Sequence, residues 1–430
     1  MDESTRPAVL AELVAEVAAL LDWVGTTEDL DLATAERQVR DRVLAVGAHL
    51  LTAGLAARGT GKAGPRLACR CGGAATCEGY RRKEAQTLVG WVRVRRAYYW
   101  CAACGHGWCP LDAALGLGRD SHSPGVRRVL GRLGVLVPFA QAAATLAEVA
   151  GVQTSPSTLR AVTEAIGARR ETELTTATAR AWAAGLSPAA GTPPARLYVA
   201  MDGVRILGTG GEGKEAKIGV VRPEHRRCGE DLVPGPASDV AAFAPAEAFG
   251  RRLAVEAHRR GLEDAAEVIV LGDGAEWIWN LATEHYPGAT QIVDWYHASE
   301  RIWELGRARY GEGTPQTARW VDRQLGRLAK GEVAALLAAW RRLTCGGAAA
   351  TVRDEQVRYF TNQASRMAYG RYRVRGLDIG SGLVEGACKH LIGAREKGPG
   401  MRWSVPGAQA VANVRVLLFN DQWGDYPLTA

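Results

Sequence analysis

Four short apolar runs between Leu197 and Ala298 constrain this chain more than any other feature: RLYVAMDGVRI, AKIGVV, EVIVLGDGAEWIW and ATQIVDWYHA. Each reads as a strand followed by a turn or a helix, and that alternation predicts an α/β domain. The 430 residues leave room for more than one such unit, since a domain takes about 100–200 residues. No stretch approaches the ~18 uninterrupted apolar residues of a membrane span. The opening MDESTRPAVL is acidic and lacks the charged-then-apolar layout of a signal peptide. The expected location is therefore the cytoplasm, with no membrane partner.

The texture divides the chain further. Residues 1–60 form a helical region, with apolar stripes in AVLAELVAEVAALLDWV and TAERQVRDRVLAVGAHLLTAGLAA. Residues 67–112 hold most of the cysteines around a strand hairpin. Residues 123–185 return to helix, and GLSPAAGTPPAR closes them as a linker. The α/β runs occupy 196–297, an Arg-rich helical stretch fills 298–378, and 379–424 closes the chain. The formal charge of +7 comes from 46 Arg and 7 Lys against 46 acids. A cationic excess favours a polyanionic partner, although a GC-rich genome also enriches Arg.

Three acids stand where chemistry would want them. Asp202 ends LYVAM and precedes Gly203; Asp273 ends VIVLG and precedes Gly274. Glu385 lies in SGLVEGACKHLIGA, which reads as a helix opened by Ser381. Carboxylates ~4 Å apart repel by roughly 4 kcal/mol at an effective dielectric of 20. A divalent cation resolves that conflict, and hard oxygen ligands suit a pair of Mg²⁺ or Mn²⁺ ions that clamp a phosphodiester displacement. Taken singly, each acid has a plainer reading: Asp-Gly makes a turn, and Glu385 with Lys389 makes an i,i+4 surface ion pair.

Six of the nine cysteines fall between Cys69 and Cys109. Cys69-Arg-Cys71 and Cys101-Ala-Ala-Cys104 are two close pairs, the arrangement of a tetrahedral structural Zn²⁺ site, with Cys77 or Cys109 as alternative ligands. Reduced buried thiols in a metal-free hairpin are the alternative. Further on, VPFAQAAATLAEVAGVQTSPSTLRAVTEAIG has the layout of a helix-turn-helix. Its second helix, Ser157 to Ile166, would offer Ser157, Thr158 and Arg160 to a major groove; a packed helical hairpin has the same pattern. In REKGPGMRW, the cations Arg395, Lys397 and Arg402 suit phosphates and Trp403 suits stacking on a base. The alternative there is a solvated loop with one Trp folded inward.

RAYYWCAACGHGWCPLDAALGL, YVAMDGVRI, VIVLGDGAEWIWN, QIVDWYHA and SGLVEGACKHLIGAREKGPGMRW together resemble the ISKra-type DDE transposases of bacterial insertion sequences, from about Cys69 to the C-terminus. The resemblance implies an RNase H-like catalytic core carrying Asp202, Asp273 and Glu385 in that order. The gap of more than a hundred residues between the last two then holds a helical insertion domain. It implies a DNA partner for the helix-turn-helix and for the tail from Lys389 onward. It also gives Asp294 and His297, three apart in DWYH, a place beside the metal site, orienting ligands or a phosphate. A helix N-cap and a core histidine explain that pair equally well. Cleavage at element ends and joining to target DNA would need a homodimer or larger multimer. Two other functions remain compatible: a derivative that binds DNA without cutting it, and another RNase H-like nuclease.

Overall fold

The computed structural model describes residues 5–186, 193–224, 226–228, 231–233 and 235–428. Positions 187–192 of the expected linker lie outside them. The chain forms two compact units, Met1–Ile166 with Gly424–Ala430, and Gly167–Trp423.

In the first unit, α1 (Thr5–Thr26) and α2 (Leu32–Ala57) form a helical pair. Asp31 caps α2 by accepting from the Thr34 N–H at 3.0 Å, and His49 of α2 lies 3.2 and 3.0 Å from Glu12 and Glu16 of α1. A four-stranded antiparallel sheet follows: β1 (Arg66–Ala68), β2 (Ala74–Thr87), β3 (Gly90–Cys101) and β4 (His106–Trp108), side by side in that order. Alternation from Trp91 to Arg96 of β3 buries Val92 and Val94 against Ala48, Ala85 and Leu117 and leaves Trp91, Arg93 and Arg95 outward. A short helix α3 (Pro110–Leu115) supplies Asp112, which pairs with buried Arg96.

Three helices complete this unit: α4 (Pro124–Leu136), α5 (Phe139–Ala150) and α6 (Pro156–Ala184), the last crossing into the second unit. Ser123 caps α4. Gly151, at φ 64°, ends α5 in the left-handed region that glycine tolerates. Ser155 starts α6 by accepting from the Thr158 N–H at 3.0 Å. The expected second helix of 157–166 therefore runs on to Ala184, because no proline or capping sequence interrupts it.

The second unit is built on a five-stranded mixed sheet. Its strands are β5 (Arg196–Leu207), β6 (Gly213–Pro223), β9 (Ser238–Ala242), β10 (Glu267–Gly272) and β11 (Thr290–Val293), with the small hairpin β7 (Arg226–Cys228) and β8 (Asp231–Val233) apart from it. The order is β11-β10-β5-β6-β9. β5, β6 and β9 run antiparallel in sequence, whereas β10 and β11 are parallel to β5. The helices α7 (Ala246–Arg259) and α8 (Glu276–His285) connect the strands. A helical section follows β11: α9 (Trp295–Tyr310), α10 (Pro315–Lys330), α11 (Val333–Arg341), α12 (Ala348–Gln363) and α13 (Tyr369–Val374). Its core gathers Trp320, Trp340 and Phe360.

The chain then returns to the sheet through α14 (Gly382–Ala387), a π-helical stretch Cys388–Gly393, α15 (Ala394–Glu396) and α16 (Val405–Phe419). The fold is thus mixed α/β with two main sheets. No helix among the described residues is long and apolar enough to cross a membrane.

Candidate active site

Asp202 does not end its strand. β5 continues to Leu207 because β6 pairs with it along its whole length, Asp202 opposite Ile218 and Gly203 opposite Lys217. The carboxylate therefore projects from the middle of the central strand. On the other side of β5, the parallel strand β10 pairs Gly272 with Met201, so Asp273, one residue past the end of β10, stands beside Asp202 across a strand spacing of about 4.8 Å. Asp273 turns the chain toward α8, its Oδ1 accepting from the Ala275 N–H at 2.8 Å. Gly274, at φ 104°, makes that turn possible. Two side chains of α12 hold it from behind: Tyr359 donates to the Asp273 carbonyl at 2.6 Å and Gln363 to the Gly274 carbonyl at 2.9 Å.

The two acids oppose each other electrically. Burial pushes the Asp202 carboxyl above its ordinary value, and the charge of Asp273 adds to the rise. Nearby, Cys388 donates to Asp202 Oδ2 across 3.5 Å. Burial, then the Asp202 carboxylate, pushes that thiol up as well, so it stays protonated.

Asp294 follows β11, is fully buried, and collects three donors. Its Oδ1 accepts from the His297 N–H at 2.7 Å and lies 3.1 Å from His297 Nδ1, and its Oδ2 accepts from the Ser381 N–H. Burial alone would raise this carboxyl; the hydrogen bonds from His297 and Ser381 outweigh it and hold it below the usual range. The same pairing raises His297 to about 9, with Asp294, Asp273 and Asp202 all contributing negative potential. An imidazolium thus stands among the acids, and Asp294 is at once the N-cap of α9 and its partner.

Glu385 reaches this group from α14. Its carboxylate, Asp294 and His297 bring ligand atoms within 4.8 Å of one another, a group able to hold a metal ion once His297 gives up its proton, and one that does not include Asp202 or Asp273. The helix around Glu385 differs from expectation in two ways. Ser381 makes no side-chain cap; its backbone N–H donates to Asp294 instead. The helix also widens into the π-helical turn at Cys388, a distortion common at functional sites. The Lys389 pair with Glu385 exists but is loose, at 3.8 Å with Lys389 80% exposed.

The second metal-competent group lies in the first unit. Cys69, Cys71, Cys101 and Cys104 place their sulfurs within 4.8 Å of one another, and the contacts Cys69–Cys104 and Cys71–Cys101 are both 3.6 Å. A tetrahedral site with metal–sulfur bonds of about 2.3 Å has edges of about 3.8 Å, so the spacing fits. Two knuckles create it. The Cys69 N–H donates to the Gly73 carbonyl at 2.8 Å, and the Gly105 N–H to the Cys101 carbonyl at 2.9 Å. The Gly73 N–H, followed by the neighbouring sulfurs, lowers Cys71 to about 7, while sharing with Cys71 raises Cys104 to about 12. Cys77 and Cys109 stand outside the cluster.

One family model spans residues 27–425 and so takes in both groups. The chain belongs to the Uncharacterised protein family (UPF0236). No curated protein matches it.

The remaining expected contacts of this UPF0236 chain divide by exposure. Ser157 and Arg160 are exposed and Thr158 half-exposed at the start of α6, with Arg160 turned to Glu164 at 2.8 Å. Lys389, Lys397 and Arg402 are exposed too. Arg395 and Trp403 are not: they are 2% and 7% accessible, the guanidinium lying 5.1 Å from the indole centroid. Trp403 extends the β5–β6 hairpin by bonding to Leu207 and Thr209 backbone, and its Nε1 donates to the Glu396 carbonyl at 3.1 Å. An inward role thus replaces the phosphate and base contacts expected of these two. Cys388, Tyr359 and Gln363 are site residues that no motif in the sequence points to directly. Of these only Cys388 carried a signal, three residues after Glu385 and so on the same helical face.

Proposed function

We propose that this protein is a metal-dependent DDE transposase resembling the ISKra-type enzymes, cutting DNA at the ends of an insertion sequence and joining it to a target. One observation carries the reading: Asp202 and Asp273 emerge side by side from the central strand β5 and its parallel neighbour β10, and burial with mutual repulsion raises Asp202. A protein keeps such a pair at a cost, and a divalent cation relieves it. The mixed sheet, three antiparallel strands continued by two parallel ones, supports an RNase H-like core, with α9–α13 as the helical insertion.

Asp202, Asp273 and Glu385 would hold Mg²⁺ or Mn²⁺, which when bound supplies charge for the attacking and leaving oxygens of a phosphodiester. Asp294 fixes His297 as a cation facing these acids, where it offsets their repulsion and suits a phosphate oxygen. Cys388 donates to Asp202 Oδ2 and the Gly203 N–H to Oδ1 at 2.7 Å, so each oxygen keeps one lone pair for the ion. The four cysteines would hold a structural Zn²⁺. Duplex DNA would be engaged by α5–α6 and by the exposed Lys389, Lys397 and Arg402, in a homodimer or larger assembly bridging two ends.

The test is cleavage and strand transfer, in Mg²⁺ or Mn²⁺, on DNA carrying the ends of the encoding element. Wild type should cut and join. Asp202→Asn and Glu385→Gln should bind the same DNA and lose about a hundredfold to a thousandfold in cleavage, on the scale of charge-stabilising groups. Asp202→Asn should melt no lower than wild type, because it removes a carboxylate that burial disfavours. A wild type that binds the ends yet neither cuts nor joins would leave only the DNA-binding reading.

A further inference from the structure

The β2–β3 hairpin carries charge that its own packing does not neutralise. β1 pairs only with Ala74–Thr76 and β4 only with Tyr99–Cys101. From Arg81 to Ala85 and from Val92 to Arg96 the sheet is therefore a two-stranded ribbon, bounded at Gln86 by a bridge to His122. Two adjacent rungs of this ribbon set arginine opposite arginine, Arg81 with Arg96 and Arg82 with Arg95. Like charges directly opposed across an antiparallel pair are destabilising.

The fold treats the two rungs differently. Arg96 points into the packed face, where its Nη1 bonds both oxygens of Asp112 at 2.7 and 2.5 Å, and Arg81 stacks 3.8 Å from the Tyr98 centroid. Arg82 and Arg95 are exposed on the open face and have no carboxylate partner among the described residues. Arg95 lies 4.2 Å from the Tyr80 centroid, which organises its guanidinium and leaves its charge. The open face thus presents Tyr80, Arg82 and Glu84 on one strand and Trp91, Arg93 and Arg95 on the other: three cations against one anion. That anion pairs with Arg93 alone, at 3.1 Å.

We propose that this open ribbon face is a docking surface for double-stranded DNA, centred on Arg82 and Arg95. Phosphates seated on the rung would neutralise its repulsion and release counterions, and a two-stranded ribbon has the width of a major groove. A single-strand platform stacks successive bases on neighbouring aromatic faces, whereas the Tyr80 ring is covered by Arg95, which leaves Trp91 as the one open ring of this face. The inference extends the DNA-acting reading to a surface remote in sequence from the acids, and it does not depend on cleavage.

The measurement is anisotropy of a labelled mixed-sequence duplex with full-length protein, from about 50 to 200 mM salt. Wild type is compared with Arg82→Gln/Arg95→Gln. Loss of two phosphate contacts should flatten the slope of log K against log salt by about 1.8 and weaken low-salt affinity about tenfold. The melting midpoint should stay level or rise, because a repulsive rung has gone. An unchanged slope overturns the proposal, as does a loss confined to single-stranded DNA or RNA. A fall in midpoint or metal content also overturns it, since the rung would then be structural. Cleavage by wild type and Asp202→Asn is read separately. A flattened slope with no wild-type cleavage keeps the surface and removes the enzyme; cleavage with an unchanged slope does the reverse.

Discussion

The thiol cluster and the acidic site are both groups of potential ligands, yet the chain assembles them in opposite ways. The four cysteines come as two knuckles at one end of a single hairpin, and strand pairing between β2 and β3 is enough to bring them together. The acids come from β5, β10, the start of α9 and α14, and span Asp202 to Glu385. Cys69 and Cys101 are packed in the hairpin core, but Cys71 and Cys104 are exposed, so an ion is the main tie on those two thiols. Asp294 and Asp273 are instead fixed by hydrogen bonds from Ser381, His297, Tyr359 and Gln363. The thiol group should therefore need its metal in order to fold, and the acidic group only in order to react.

The sharpest way to break that contrast is to remove metal. Structural zinc sites bind with apparent free energies of about 10–16 kcal/mol, most of which is folding free energy. Cys101→Ser, or a strong chelator, should take the protein from one zinc per chain to none and unfold the hairpin. Elemental analysis and the emission of Trp100 and Trp108 would follow it. Withholding Mg²⁺ should leave the melting midpoint of the second unit where it was. A Cys101→Ser variant with unaltered midpoint and emission would mean the knuckles fold without an ion, and the contrast would be gone.

Legibility follows the same division. Cysteine spacing and the strand-like runs are local signals, and both can be read from a dozen residues at a time. The continuation of β5 beyond Asp202 is not local: Asp-Gly favours a turn, and only pairing with β6 overrides it. The π-helical turn at Cys388 has no compositional mark, so SGLVEGACKHLIGA reads as an ordinary helix. Arg395 and Trp403 sit in a Gly-rich basic stretch that resembles a solvated loop. Trp403 is held by Leu207 and Thr209, nearly two hundred residues earlier, and Arg395 packs on its ring. Likewise the support of Asp273 by Tyr359 and Gln363 crosses from the helical section, where sequence gives only an approximate register.

A smaller effect probes how the acidic site is prearranged. Asp294→Asn keeps an N-cap oxygen but loses the charge that binds His297, at a cost of about 1–3 kcal/mol for the weakened buried bonds. The sign of the pH dependence is fixed by direction. His297 is raised from 6.5 to about 9, so its contribution to stability is complete below pH ~6.5 and disappears as pH climbs through about 9. Wild-type stability should decline across that interval, and Asp294→Asn should decline less. A titration of the His297 ring by NMR would check it directly: a midpoint near the unperturbed value in wild type would show that the imidazole is neutral and offsets no charge.

The smallest effect tests whether Glu385 belongs to the site or to the surface. Its ion pair with Lys389 spans 3.8 Å and leaves Lys389 80% exposed, a geometry worth a few tenths of a kcal/mol at most. Lys389→Ala should therefore shift the melting midpoint by less than about a degree, while weakening DNA binding slightly and flattening its salt slope by about 0.9. If the midpoint instead fell by several degrees, the lysine would be the principal partner of Glu385 and the carboxylate a structural one. A level midpoint with a flatter slope leaves Glu385 to the acidic site, and places the lysine with the other exposed cations of the tail.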